Sequence, residues 1–396
     1  MATATVETVP ASEWISRARS VGPVITEHRD TSEAERKMAQ PIFDALATSG
    51  FFDMLVPRAF GGPQATPTEY TRVVEELARF DGSAAWNTMI WGGAGLFADY
   101  LDEDAADEVL GAGKGNLICG AINPTGQARP VPGGYEVRGR WSFASGCQYA
   151  TWCMAGCMVM DGDSPRMLEN GVPEIRAVFM PAAAAEIIDT WHTAGLRGTG
   201  SHDFRVDGAF VPSASTIPLP AFFTGPSQRL STSCRTPFAD IAAPSIAAVG
   251  LGIARDAIDS FIDLASRKVP AIGTMTLADQ HTVHLRVGKA EALLRSAQAY
   301  LYTTMDDIST AHAAGAPVTP KDSAAMRLAT SYAAQCSVDA VDLIFDAAGG
   351  SSLYESSRLE RCFRDAHMIT HHIMASPTNI EMVGQFLLGG PLQPRR

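Results

Sequence analysis

The sequence predicts a mainly α protein with a central β domain: N-terminal helices, a small middle sheet or barrel, then a C-terminal helical bundle. Three successive zones of apolar period carry that expectation. Up to about residue 110, apolar residues recur every three or four positions, as at Ile42 and Leu46 and again at Val73, Val74 and Leu77. Gly50 closes one helix, and Pro57, Gly61, Gly62 and Pro63 mark a turn. The period then drops to two. After Gly133 and Gly134, Tyr135, Val137, Trp141 and Phe143 alternate with Glu136, Arg138, Arg140 and Ser142, the pattern of a half-buried antiparallel strand. Short apolar runs at 153–160, 175–180 and 204–211, each bounded by Gly, Pro or Asp, extend the sheet. Beyond a connection over 212–237, helical stripes return at Leu294, Ala297, Leu301 and Ile308, and at Val338, Val341, Ile344, Phe345 and Ala348. The expected domains are therefore 1–115, 116–225 and 226–396.

With 396 residues the chain is long enough to bury a core without staples. Lys and Arg number 31 against 43 Asp and Glu, a net charge of −12, the wrong sign for binding nucleic acid or anionic lipid. Seven cysteines form no pairing framework, and Cys147, Cys153 and Cys157 lack zinc-knuckle spacing. The start, MATATVETVPASEW, has no basic and apolar leader pattern, and no run reaches the about 20 apolar residues of a membrane span. A cytoplasmic protein without membrane or nucleic-acid partners is expected. The most apolar run, 241–254, is interrupted by Pro244 and reads as a core helix.

No strand–GxGxxG–helix, P-loop, GxSxG or HExxH pattern is present. Three features remain. If extended geometry persists through WSFASG, Trp141, Phe143 and Ser145 share a face, two aromatic walls beside a hydroxyl; the same residues also read as core aromatics with a strand-ending Ser before Gly146. In AAGGSS, Gly349 and Gly350 after a helix form either a C-cap or an anion nest. In RLERCFRDAHMITHHIM, His367 and His371 are four apart but lack a third metal ligand, so no metal is expected. His372, at helical spacing from Asp365 and Met368, is either a functional imidazole or a core histidine.

LATSGFFDMLVPRAFGG, GLRGTGSHDFRVDGAFVP, and AAGGSSLY followed by RLERCFRDA together resemble the acyl-CoA dehydrogenase superfamily, in order along nearly the whole chain. The resemblance implies N-terminal helices, a β barrel and a four-helix bundle, assembled as a homotetramer with flavin between domains and a neighbouring subunit. The dehydrogenases place a glutamate base nine residues after the arginine of the RD pair; here that position is Ile373. Their AxTEP segment is replaced by AINPTG. WSFASGCQYATW, AGGSSLY and RDAHMITHH instead resemble the oxygenase component of two-component flavin-dependent monooxygenases, the group of p-hydroxyphenylacetate and indole oxygenases.

That branch implies reduced FAD or FMN delivered by a separate NAD(P)H:flavin reductase, with O2 as co-substrate, and hydroxylation of a small phenol- or indole-type compound through a C4a-hydroperoxyflavin. It implies catalytic roles for His372, as base or peroxide stabiliser, and for Ser145 at N5. Flavin contacts are expected from Asn123, Trp141, Phe143, Ser145, Gly146, Arg267, Gly349 and Gly350. The branch's second histidine is replaced by Ala94, leaving Asn87 and Trp91 to line the substrate wall. A flavin-dependent acyl-CoA dehydrogenase or oxidase with a displaced base, an N-hydroxylating amine or sugar monooxygenase, and a non-catalytic flavin-binding scaffold are the competing expectations.

Overall fold

The computed structural model describes residues 9–111, 113, 115–225 and 236–394. The first eight residues and the stretch 226–235 of the connection, with Cys234, lie outside them. Helices α1 (Ala11–Glu35), α2 (Gln40–Thr48), α3 (Pro67–Ala78), α4 (Gly82–Gly93) and α5 (Glu103–Leu110) form the N-terminal layer. Local chemistry fixes where they start. Thr66 and Glu69 exchange side-chain and backbone hydrogen bonds in a capping box ahead of α3, and Asp81 Oδ1 accepts the Ala84 N–H at 2.9 Å ahead of α4.

The sheet contains β1 (Ile118–Val131), β2 (Gly134–Ala144), β3 (Trp152–Asp161), β5 (Ile175–Pro181), β6 (Glu186–Ile188), β7 (His202–Pro212) and β8 (Thr216–Pro218), in the order β6-β7-β2-β1-β3-β5-β8, with the short β4 (Ser164–Pro165) on β3. β2 is antiparallel to both β1 and β7, while β1 runs parallel to β3. The alternation predicted for β2 holds as far as Trp141: Tyr135, Val137 and Trp141 are buried and Arg138 and Arg140 exposed. Trp141 is a core residue, stacked on Phe204 at 5.0 Å with its Nε1 donating to Gly156 O at 2.7 Å. Cys147 and Cys157 are likewise core; burial pushes both thiols up to about 12, which suits packing and not nucleophilic chemistry.

After α6 (Ala221–Thr224) come the bundle helices α7 (Phe238–Arg267), α8 (His281–Ala313), α9 (Pro320–Ala348), α10 (Arg358–Ile369) and α11 (Thr378–Leu387). The expected stripe Leu294, Ala297, Leu301 and Ile308 is buried on α8. α7 is long and apolar enough to cross a membrane by length and composition, but 89% of its apolar window is buried inside the protein, as a core helix requires. It packs against α3, α4, α9 and α10 and so joins the first layer to the bundle.

Candidate functional site where helix, sheet and bundle meet

A bulge ends β2 and overturns the shared-face expectation. Trp141 pairs with Phe204 and Ala144 with His202, so three steps along β2 span two along β7. Phe143 absorbs the extra residue at φ 69, and its ring, 63% exposed, swings away from the buried Trp141 to meet Trp191 edge-on at 6.1 Å. Trp141 therefore faces the sheet core and Phe143 faces out. The aromatic surface available at this corner is Phe143 alone of the expected pair.

Beyond the bulge, Ser145 and Gly146 turn back under α4. Gly146 has φ 70, its N–H donates to Thr199 O at 2.9 Å, and a methyl group on it would lie 2.5 Å from Trp91 Cζ2. Both the left-handed conformation and the contact exclude a side chain. Ser145 Oγ accepts from Trp86 Nε1 at 2.9 Å and lies 2.7 Å from Ser201 Oγ, which is 2.7 Å from Thr199 Oγ1. Thr199 Oγ1 donates to Leu196 O at 2.8 Å.

One stripe of α4 reads along this turn. Ser83 stands over Gly198, Trp86 over Ser145 and Trp91 over Gly146, a spacing of three to five residues that keeps them on one side of the helix. Asn87, between them, is 1% exposed. Among the described residues neither amide atom of Asn87, nor Ser83 Oγ, nor Trp91 Nε1, has a hydrogen-bond partner, although all four atoms are buried. Buried polar groups are paired in the great majority of cases, and here four unpartnered atoms fall on one helix. Trp91 is held by Phe43 at 5.7 Å, Phe52 at 5.1 Å and Tyr149 at 6.1 Å, all edge-on. The expected Trp91 is thus a neighbour of Gly146, and Asn87 lies buried one turn before it on α4.

His372 reaches the same cluster from the bundle, but not from a helix as its spacing led us to expect. α10 stops at Ile369, and His372 occupies the turn before α11. Its ring lies edge-on to Trp86 with centroids 5.7 Å apart, and its Nδ1 accepts the Met374 N–H at 3.2 Å. In the neutral ring that bond assigns the proton to Nε2, making Nε2 a donor. His367 is tied to Asp342 at 2.9 Å and His371 is exposed; among the described residues no group of three or more His, Cys, Asp or Glu could hold a metal.

The arginines of the RLERCFRDA segment hold the site from behind. Arg361 Nη2 donates to Asp81 Oδ2 at 2.7 Å, and Arg358 pairs with Asp256 at 2.6 Å. Asp365 Oδ1 accepts the Leu196 N–H at 2.6 Å, so α10 pins the loop that carries Thr199 and Ser201. Burial pushes the Asp365 carboxyl up to about 6 against the opposing pull of Arg361.

The remaining expected residues make none of the contacts described above. Asn123 is exposed on the irregular stretch of β1 between Ala121 and Gly126. Arg267 ends α7 in an exposed pair with Asp263, and next to it Lys268 Nζ donates to Ala348 O at 2.7 Å, just before Gly349. Gly349 has φ 57, and both it and Gly350 are exposed. Arg267 and the Gly pair therefore share one end of the bundle. Along α9, Ala348 is about 25 Å from Ser331, whose Oγ donates to Ser376 O beside the His372 turn. One protomer does not bring these residues to Ser145.

Sequence reasoning missed Trp86, Thr199 and Ser201 as site residues, although the quoted segment GLRGTGSHDFRVDGAFVP contains the last two. A hydroxyl chain closes only when the loop 196–201 folds against the strand end, which no local spacing announces.

Helices flanking a sheet, with a buried polar cluster at their junction, correspond to two family models: Acyl-CoA dehydrogenase, N-terminal domain, over residues 18–110, and Acyl-CoA dehydrogenase, C-terminal domain, over 245–377. The indole-3-acetate monooxygenase of Pseudomonas putida is 30% identical over 358 residues, 90% of this chain and 89% of that protein. The oxygenase component of the FADH(2)-dependent resorcinol hydroxylase of Rhizobium sp. is 29% identical, covering 98% and 97%. The crystal structure of 3-HSA hydroxylase from Rhodococcus sp. RHA1 superposes with a TM-score of 0.87 at 26% identity, over 96% of this chain and 98% of that one. The chain belongs to the acyl-CoA dehydrogenase superfamily, among the oxygenase components of its flavin-dependent monooxygenases.

Proposed function

We propose that the protein hydroxylates a small aromatic or heteroaromatic compound, of phenol or indole type, using O2 and reduced FAD or FMN received from a separate NAD(P)H:flavin reductase. The observation that carries this is the placing of a hydroxyl and a donating imidazole on either side of one indole, Ser145 and His372 about Trp86. The relatives' printed activities on indole-3-acetate and resorcinol support the substrate class. The base position of the thioester dehydrogenases holds Ile373, an apolar side chain, so nothing favours that alternative.

The unpartnered Asn87, Trp91 and Ser83 atoms and the outward ring of Phe143 fit a flat, polar-edged ring system such as a flavin. When bound, reduced flavin supplies the two electrons with which dioxygen yields one oxygen to the ring carbon and one to water. Ser145 Oγ would accept at the N5 edge. His372 Nε2–H donates a hydrogen bond to an oxygen at the reacting centre; with Nδ1 occupied by Met374, the ring serves as donor in preference to base. Phe143 and Gly146 would border a bound ring and Asn123 would meet its pyrimidine edge, while Trp141 braces the strand from within. The buried wall of Trp86 and Trp91 excludes water.

The same reading divides the chain at 1–115, 116–225 and 226–396. It assembles the protein as a homotetramer, since Arg267, Gly349 and Gly350 can reach flavin phosphates only of a neighbouring subunit's site. It places the protein in the cytoplasm, where NAD(P)H and the reductase are found.

The test is to mix protein, reduced FAD or FMN and a panel of phenols and indoles with 18O2. Labelled hydroxylated product is expected. If every compound is recovered unchanged and all oxygen appears as hydrogen peroxide, the function is wrong. His372→Ala should lower labelled product roughly 10²-fold, the scale for removing one positioned donor, with peroxide release rising in step.

A further inference from the structure

The hydroxyls behind Ser145 form a chain whose direction is fixed at both ends. An indole N–H can only donate and a carbonyl can only accept. Thr199 spends its single proton on Leu196 O. The 2.7 Å contact between Thr199 and Ser201 therefore uses the Ser201 proton, and the 2.7 Å contact between Ser201 and Ser145 uses the Ser145 proton. At the other end Trp86 Nε1 donates into Ser145 Oγ. Ser145 is left with one lone pair and no proton to offer. All three hydroxyl residues are at most 5% exposed, so water is not at hand to reverse the order.

We propose that Ser201 and Thr199 are positioning residues that lock Ser145 as an acceptor, so that the site selects reduced over oxidised flavin by the proton on N5. This rests on the flavin assignment above. Reduced flavin carries N5–H and makes a donor-to-acceptor bond with Ser145; oxidised flavin presents a lone pair there, and two acceptors face each other. A lone Ser hydroxyl would rotate to suit either form. The relay removes that freedom, so the protein takes up the coenzyme charged and releases it spent.

Anaerobic titration of the full-length protein with reduced and with oxidised FAD, and in parallel with FMN, gives two dissociation constants whose ratio reads the selection. The wild type is expected to bind the reduced form more tightly. Ser201→Ala frees the Ser145 proton to turn toward an oxidised N5. Thr199→Val frees the Ser201 proton to turn toward Ser145, with the same consequence, and conserves the side-chain shape. Each should narrow the ratio about tenfold, mainly by tightening the oxidised form, the size of one hydrogen bond made where an acceptor stood opposed. The potential of the bound couple should fall accordingly by about 30 mV. Circular dichroism establishes that each variant is folded, and either folded variant is decisive. A ratio unchanged from wild type overturns the relay while leaving the flavin assignment intact. A wild type that binds neither form overturns the flavin assignment and the relay with it.

Discussion

The two ends of α4 differ in how they treat buried polar atoms. At the N-terminal end Asp81, with no exposure, has each carboxylate oxygen engaged, one by the Ala84 N–H and one by Arg361. Within the next turns Ser83, Asn87 and Trp91 are just as buried and their polar atoms go without partners among the described residues. A few residues separate a carboxylate with both oxygens engaged from side chains whose polar atoms have no partner among the described residues. The first kind holds elements together, because a buried charge stripped of its partner is costly; the second forgoes stability in the free protein, which a ligand restores on binding.

Breaking the completed end should have the largest effect. Arg361→Met strands Asp81 and Asp365 as buried carboxylates and should cost about 3–5 kcal/mol in denaturant unfolding. A loss below about 1 kcal/mol would mean the network is decoration.

The pH dependence of the same end follows next. The Asp365 carboxyl stands near 6 in the folded chain against 3.8 as its ordinary value, so between those values the folded state holds the extra proton. Stability therefore falls as pH rises from about 4 to 6, by at most about 1.4 kcal/mol per pH unit. Asp365→Asn keeps an acceptor for the Leu196 N–H and removes this slope from the variant, so the wild-type-minus-variant difference curve should carry it. A difference curve flat across that window would refute the assignment.

The smallest change in stability, and the most telling, belongs to the incomplete end. Asn87→Leu exchanges an unpaired amide for an apolar group of similar size and should raise stability by about 1 kcal/mol while weakening flavin or substrate binding. A loss comparable to that of Arg361→Met would erase the distinction between the two ends.

Much of the fold was legible because each layer writes its own period: the stripe on α8 and the alternation along β2 are local facts. Where that alternation failed, one inserted residue was responsible. The bulge at Phe143 needs the register against β7 to be seen, and it turned an expected pair of aromatic walls into one core ring and one exposed ring. His372 was found as a residue but misread in its setting, because apolar spacing continues past Ile369 although the helix does not. Ser145, Gly146, Asn87 and Trp91 converge in space. The relay through Ser201 and Thr199 was invisible for a different reason: serine and threonine beside glycine are ordinary loop composition, and only the donor and acceptor count in the folded state gives them a direction.

The single bond from Leu196 N–H to the Asp365 carboxylate orders events during synthesis. The loop 196–201 is translated well before α10, so this bond can form only once α10 has emerged and docked.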